Sequence, residues 1–325
     1  LSLNDKVILI TGGTGSFGKK FIEIALSCYH PKKLIVFSRD ELKQSDMRQE
    51  FLKYKNYNLL RFFVGDIRDK ERLMRAMNDV DFVIHTAALK QVPSCEYNPF
   101  EAVQTNVIGT KNIIECGIDN HVQKVIMLST DKAVHPVNLY GSTKLTAEKL
   151  MIQSNSYVGS HNTRFSCVRY GNVLGSRGSV IPAFRKQAEE GVLTITDKKM
   201  TRFWITLEQA VCFVIFCLEN MEGGEVFIPK IPSMKIVDLA DVIAPDVPKN
   251  ITGIRPGEKI HEILLTKQES SHAREFDNYY VIEPLFPFWQ SIDAGARLPA
   301  NFEYKSNKNN HWITKENLKE MLKEI

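Results

Sequence analysis

The sequence predicts an α/β fold, a doubly wound parallel sheet accompanied by a smaller, discontinuous α/β lobe. Three observations lead there. Short apolar runs alternate with helix-like stretches through the first half of the chain. The runs are continuous rather than alternating, which suits a parallel sheet covered on both faces. After Tyr170 the texture shifts toward glycine, proline and short polar links.

In order, strand-like runs fall at 6–10, 34–37, 61–64, 82–85, 125–129 and 165–170. Stretches 18–29, 70–77 and 100–119 carry apolar residues at helical spacing. Repeated strand–helix alternation calls for right-handed crossovers. Residues 171–182, rich in glycine and small side chains, read as a long functional loop. Residues 207–219 read as a further helix of the first unit and 225–228 as its last strand. Beyond Pro229, helices are expected at 235–244, 257–265 and 314–324. The expected division is 1–173 with 203–229 for the larger unit, and 174–202 with 230–325 for the smaller.

Composition narrows the function classes. The 325 residues suit one large domain or two intimate ones, at ~150 residues per domain. With 43% hydrophobic and 25% charged residues, the chain is neither disordered nor collagen-like. The longest apolar run, 211–218, is far short of the ~18 residues of a membrane span. No basic segment followed by an apolar stretch opens the chain, so a cytoplasmic protein is expected. Six cysteines without a C-x-x-C pattern read as buried thiols in a reducing compartment. The eight histidines show no ligand spacing, so no metal is expected; His85 reads as a satisfied core residue. A net charge of +4 weakly favours an anionic ligand, and no arginine-rich block suggests nucleic acid.

The first chemical signal is Thr11-Gly12-Gly13-Thr14-Gly15-Ser16-Phe17-Gly18, directly after the first strand and opening a helix. Glycines at 12, 15 and 18 permit a tight turn and close approach of backbone N–H groups to a pyrophosphate, as in Rossmann folds. The larger unit is therefore a dinucleotide-binding Rossmann domain. The second strand ends in Ser38-Arg39-Asp40-Glu41-Leu42-Lys43. A guanidinium there suits a 2′-phosphate and favours NADP, while Asp40 keeps NAD open. Asp66 is placed to accept from an adenine amino group, or else is an ordinary loop carboxylate.

The second signal is Tyr140-Gly-Ser-Thr-Lys144. Four residues apart on a helix, Tyr140 and Lys144 share a face. An ammonium beside the phenol is expected to lower its pKa. Ser129-Thr130-Asp131-Lys132 closes a preceding strand, where ligands bind in open α/β sheets. Adjacent titratable groups there suit a paired acid and base, or else a solvated turn.

These residues, with Asn106 in Thr105-Asn106-Val107, resemble an extended short-chain dehydrogenase/reductase. The segments SRDELKQ, AALKQVP, LSTDKA, LYGSTK, RYGNVLGSRGSV, MTRFWI, KIPSMK and IRPGEK are similar to the soluble C5-inverting UDP-N-acetylglucosamine 4,6-dehydratases that begin pseudaminic acid synthesis. The likeness runs from Lys6 to nearly the C-terminus.

The resemblance implies a mechanism. Tyr140 acts at the C4 hydroxyl while tightly bound NADP takes hydride from C4 and later returns it to C6. Lys132 is implied as the base at C5, and Asp131 as the acid for the departing C6 hydroxyl. A basic lysine must be neutral, so a lowered Lys132 pKa is expected. Thr14 to Phe17, Ser38 to Lys43, Asp66, Ile67, Ala87, Thr105 and Asn106 are implied to line the cofactor. Lys90 is implied between cofactor and sugar. Ser129, Thr130, Asn172, Val173, Arg177, Val180, Thr194, Ile195, Thr196, Arg255 and Glu258 are implied to meet UDP-N-acetylglucosamine. Family members form homo-oligomers, often hexamers. Phe203 and Trp204 are expected to pack the junction of the two lobes. A C5-retaining dehydratase, a UDP-sugar 4-epimerase and a nucleotide-sensing module are the alternatives. The absent membrane segment and Tyr140 argue against the first; the Asp131–Lys132 pair argues against the others.

Overall fold

The computed structural model describes residues 3–176, 178–286 and 294–323. Seven parallel strands make the larger unit: β1 (Val7–Thr11), β2 (Lys33–Ser38), β3 (Leu60–Val64), β4 (Phe82–His85), β5 (Lys124–Thr130), β6 (Arg164–Tyr170) and, later in the chain, β10 (Val226–Pro229). Their order across the sheet is 3-2-1-4-5-6-10, doubly wound as expected. β1, β4 and most of β5 and β6 are buried on both faces, which is why their sequences run apolar without alternation.

Helices α1 (Ser16–Cys28), α2 (Glu41–Phe51) and α3 (Lys70–Ala76) follow the first three strands. The expected single helix at 100–119 is interrupted. Short helices α4 (Val92–Tyr97) and α5 (Pro99–Val103) lead into a wide five-residue turn at Gln104–Ile108, then α6 (Gly109–Asp119). Wide turns of this kind often mark functional positions. Here the turn presents Asn106, which hydrogen-bonds outside the helix (below). α7 (Leu139–Gln153) begins at Asn138, whose side chain accepts from the Gly141 N–H at 2.8 Å.

The smaller lobe interleaves with this frame. β7 (Asn172–Val173), α8 (Val180–Glu189) and β8 (Leu193–Ile195) precede β9 (Thr201–Ile205), and β9 lies between β7 and β11 (Ser233–Lys235) in a small sheet. α9 (Leu207–Asn220) starts with a reciprocal Thr206–Gln209 cap. α10 (Ile236–Ile243), β12 (Lys249–Ile251) and α11 (Lys315–Lys323) complete the lobe. β9 serves both cores: Phe203 packs into the larger and Trp204 into the smaller, both fully buried. Burial of each is worth roughly 1.5–3 kcal/mol; Phe203 ties β9 to the larger core, whereas Trp204 packs within the smaller one rather than at the junction.

Three expectations fail. No helix spans 257–265; the segment is turn followed by β13 (Ile263–Leu265), which pairs with β17 (Tyr304–Lys305). Three consecutive buried apolar residues, Ile263 to Leu265, suit a strand covered on both sides rather than a one-sided helix. Strands β14 (Ala273–Glu275), β15 (Tyr279–Ile282) and β16 (Ala296–Arg297), from the stretch assigned to the smaller lobe, instead extend the large sheet. β15 pairs antiparallel with β10 and covers what would otherwise be an open edge. No helix among the described residues is long and apolar enough to cross a membrane, and no group of three or more potential metal ligands occurs among them. The six thiols are free; Cys28 and Cys212 are exposed, contrary to expectation, and the others are buried.

Candidate active site

The phosphate turn is shaped by backbone approach. Gly12 has φ +66°, and a Cβ there would come within 2.8 Å of Thr86 Oγ1 and 3.0 Å of the Ala87 backbone. The Gly15 N–H donates to the Gly12 carbonyl at 2.9 Å. Gly15 caps α1 without a side-chain acceptor, and no acidic residue sits in the first turn. Thr14 and Gly18 are buried, Ser16 and Phe17 half-buried. The helix terminus is therefore built to receive an anion.

At the end of β2, Asp40 caps α2. It accepts from the Lys43 N–H at 3.0 Å and pairs with Lys43 Nζ at 2.6 Å, and these bonds hold its carboxyl below the ordinary aspartate value. Ser38 Oγ accepts from Gln44 at 3.0 Å. Glu41, Leu42 and Arg39 are exposed or nearly so, with Arg39 3.6 Å from Asp66. Burial would raise Asp66, but Arg68 and Arg39 overcome it and hold the carboxyl low. Three hydrogen bonds from Arg68 reach Asp66, so much of its acceptor capacity is taken. Ile67 is buried in the core.

Beyond β4, the Ala87 N–H donates to Thr11 Oγ1 at 3.3 Å. Asn106 clamps this loop: its amide accepts from the Leu89 N–H at 2.8 Å and donates to the Leu89 carbonyl at 2.9 Å and Thr143 Oγ1 at 3.0 Å. Its side chain shapes the loop from beneath. Thr105 Oγ1, next to it, is buried without a partner among the described residues. His85 is fully enclosed between Thr11 and Thr110, and burial pushes it down to about 3, the satisfied core residue expected.

The chemical centre lies where β5 ends. Thr130 Oγ1 accepts from the Lys132 N–H at 3.3 Å and donates to Asp131 Oδ1 at 3.0 Å. Lys132 Nζ lies 3.0 Å from the same oxygen. Asp131 is fully buried, and its Oδ2 has no partner among the described residues. Gly141 lets α7 press onto this turn, because a Cβ there would overlap the Lys132 carbonyl oxygen. Tyr140 is thereby brought beside it. Ser129 Oγ donates to Glu148 at 2.7 Å.

Ionisation corrects two expectations. Burial would lower Lys132, but Asp131 and Glu262 outweigh it and hold the ammonium above the ordinary lysine value, not below. Burial also pushes Tyr140 up to about 12; the cation opposing that rise is Lys132. Lys144, lowered by burial to about 8 against the opposing pull of Glu148, is not what pulls on the phenol. Burial pushes Asp131 upward despite Lys132, the direction an acid needs. Burial and Lys132 together lower Lys90, at the rim.

On the smaller-lobe side, Asn172 and Val173 form β7 and are half-buried. Arg177 lies outside the described residues. Val180 opens α8 and packs on the smaller core. Thr194 is half-buried and Thr196 buried, whereas Ile195 belongs to the smaller core and its carbonyl accepts from the Thr252 N–H at 3.0 Å. Arg255 is exposed in the turn that carries Glu258. Asn138 donates to the Gly257 carbonyl at 2.7 Å, fastening this turn to the start of α7. Asn172 Oδ1, Ser179 Oγ and Glu258 Oε2 are buried without partners among the described residues. Native proteins seldom leave such atoms unsatisfied, and a polar ligand would satisfy them.

Sequence reading missed Arg202, Lys259 and Glu262, which gather beside the Asp131–Lys132 turn, and Glu148 beneath Ser129. Arg202 and Lys259 stand within quoted motifs, but no local pattern shows what they face.

Residues 8–284 match the model of a family described as polysaccharide biosynthesis protein. The chain is 52% identical to the inverting UDP-N-acetylglucosamine 4,6-dehydratase of Campylobacter jejuni, over 98% of each. It is 40% identical to a UDP-glucose 4-epimerase of Rickettsia conorii, over 98% of this chain and 95% of that one. Among solved structures, Pen from Bacillus thuringiensis superposes with a TM-score of 0.91 at 40% identity, covering 100% of this chain and 99% of that one.

Proposed function

The chain belongs to the polysaccharide biosynthesis protein family of extended short-chain dehydrogenase/reductases, and on that premise we propose that it dehydrates UDP-N-acetylglucosamine across C5 and C6 with inversion at C5. The product is UDP-2-acetamido-2,6-dideoxy-β-L-arabino-hex-4-ulose, the first intermediate toward pseudaminic acid. The observation that carries the reading is the pairing of fully buried Asp131, one carboxylate oxygen unpartnered, with half-buried Lys132 at the carboxyl end of β5 beside Tyr140.

The dinucleotide fits the residues present. The turn from Gly12 to Gly18 offers backbone donors and a close approach, and Thr105 Oγ1 offers an orphaned hydroxyl. Ser38, Arg39 and Lys43 would hold a 2′-phosphate; Asp40, engaged as the α2 cap, is poorly free to hold a ribose hydroxyl, which favours NADP. When bound, the nicotinamide supplies a reversible hydride acceptor for the sugar. Tyr140 takes the C4 hydroxyl proton, and the ketone at C4 acidifies C5–H. Lys132 passes its ammonium proton across the 3.0 Å contact to Asp131, and the amine so formed takes the C5 proton; Asp131, now protonated, gives its proton to the C6 hydroxyl, which leaves as water, and a proton returned to C5 on the opposite face gives the inverted product. The pair is competent when it holds a single proton, on Asp131. Asn172, Val173, Arg177, Val180, Thr194 to Thr196, Arg255 and Glu258 meet the sugar nucleotide, with Lys90 between it and the cofactor. We assign the larger unit to NADP and the smaller lobe to the UDP-sugar, in a cytoplasmic homo-oligomer, a hexamer by family resemblance.

The likeness to a named epimerase gives the rival reading. One experiment separates the two: incubate the protein with UDP-N-acetylglucosamine deuterated at C4, adding no cofactor. Loss of one water and deuterium in a new C6 methyl group support dehydration. An unchanged mass, or deuterium retained at C4 or lost to solvent, overturns it. Nucleotide released from denatured protein should be NADP by mass spectrometry.

A further inference from the structure

The Asp131–Lys132 pair is not alone in its pocket. Glu262, immediately before β13, is 2% exposed. Lys259 Nζ lies 3.1 Å from its Oε2, and Arg202 Nε 3.8 Å from its Oε1. Lys259 also donates to the carbonyls of Val134 at 2.7 Å and Asp131 at 3.4 Å, lacing the smaller lobe onto the catalytic turn. Arg202 is braced by the Thr201 and Ile260 carbonyls. The Glu262 backbone is fixed in turn by reciprocal bonds with Ser306, 3.0 and 2.9 Å. A buried carboxylate between two cations, its Oε2 without a hydrogen-bond partner among the described residues and linked to the catalytic turn through Lys259, has no role in the mechanism above.

We propose that Glu262 is a positioning residue for the Asp131–Lys132 pair, its fixed charge setting the pH range over which that pair holds its single proton. This rests on the dehydratase reading. The charged groups in play are Asp131 and Lys132 on the turn, Tyr140 from α7, Lys90 after β4, Arg202 from β9, and Lys259 with Glu262. Burial would raise the Glu262 carboxyl, but Lys132, Arg202 and Lys259 overcome it and hold it ionised. That negative charge opposes ionisation of Asp131 and favours the Lys132 ammonium, so it raises the proton affinity of both members. Because the two groups interact strongly, activity follows the apparent values of the pair, and both limbs of the pH profile move together. Glu262 keeps its own charge throughout; the C5 proton goes to Lys132, and the Asp131 proton leaves with the C6 hydroxyl.

The test compares kcat/KM profiles of wild type, Glu262→Gln, Glu262→Asp and Arg202→Gln with NMR titration of Lys132 in lysine-labelled protein. Glu262→Gln should move both limbs, and the Lys132 titration, to lower pH by about one unit, a tenfold change in proton affinity. Arg202→Gln should move them the opposite way, and Glu262→Asp should leave them in place. A Glu262→Gln protein with reduced turnover but an unmoved profile and titration overturns the assignment, since a merely structural carboxylate would behave so. The two failures are separable: a wild type that leaves UDP-N-acetylglucosamine intact sinks the dehydratase reading, while the Lys132 titration still decides what Glu262 does to its neighbour.

Discussion

Two buried ionic clusters sit near the carboxyl ends of adjacent strands, and they are built to opposite standards. In the first, Arg169 on β6 is 1% exposed and meets Glu148 at 2.5 Å and Glu269 at 3.0 Å. Leu264 and Thr266 accept or donate the remaining bonds, and Glu148 also takes the Ser129 hydroxyl. In the second, Asp131 is as deeply buried, yet Oδ2 is unpartnered and its carboxyl is pushed up by burial. A closed network fixes a backbone; an open one keeps a group in the wrong ionisation state until something arrives to use it. Completeness of hydrogen bonding, more than burial, separates structural charge from chemical charge.

The sharpest way to break this contrast is Asp131→Asn. If the open cluster is for chemistry, kcat falls by about 10²–10⁴-fold in steady-state assays. The thermal midpoint should not fall with it. The sign follows from the raised Asp131 value: the folded protein disfavours its carboxylate, so the group destabilises above the ordinary aspartate range, and a neutral amide removes that penalty. A variant that loses stability but keeps turnover would reverse the assignment of the two clusters.

Arg169→Met probes the other side. Removing one partner leaves Glu148 and Glu269 buried without a counterion, and breaking such a pair costs about 3–5 kcal/mol. Urea unfolding should show that loss, while the folded fraction retains turnover close to wild type. Full stability would mean that the closed network holds nothing in place.

The two clusters also differ in how far they could be read from sequence. Asp131, Lys132 and Tyr140 sit in short motifs at a strand end and a helix start, where topology alone places ligands. Asn138 and Gly141 complete that local logic. The parallel strands were legible for a similar reason, since burial on both faces leaves an unbroken apolar run. Illegible features depend on chain returning from afar. Glu262 and Lys259 act on a turn more than a hundred residues earlier, and Arg169 looks like any strand-end arginine until Glu148 and Glu269 close on it. β14, β15 and β16 are two to four residues long, too short to show a period. Ionisation was legible in kind and wrong in detail. Lys132 was expected low and Tyr140 was expected to answer to Lys144, but the charges that decide both come from Asp131, Glu262 and Lys132 itself.

The smallest effect lies in the acid limb of the closed cluster. Burial would raise Glu269, but Arg169 and Thr266 overcome it and bring the carboxyl down to about 2 from an ordinary 4.5. A depressed value means stability that is complete above the unfolded value and lost as pH falls toward the folded one. Wild type should therefore lose stability between about pH 4.5 and 2 as Glu269 takes up its proton. Glu269→Gln should be less stable at neutral pH by roughly 1–3 kcal/mol, and its deficit should shrink across that window until the two proteins unfold together near its lower end. Urea midpoints at several pH values measure this directly. A deficit independent of pH would mean that Glu269 contributes by packing and hydrogen bonding rather than by charge, and the closed cluster would then owe its stability to shape instead of ion pairing.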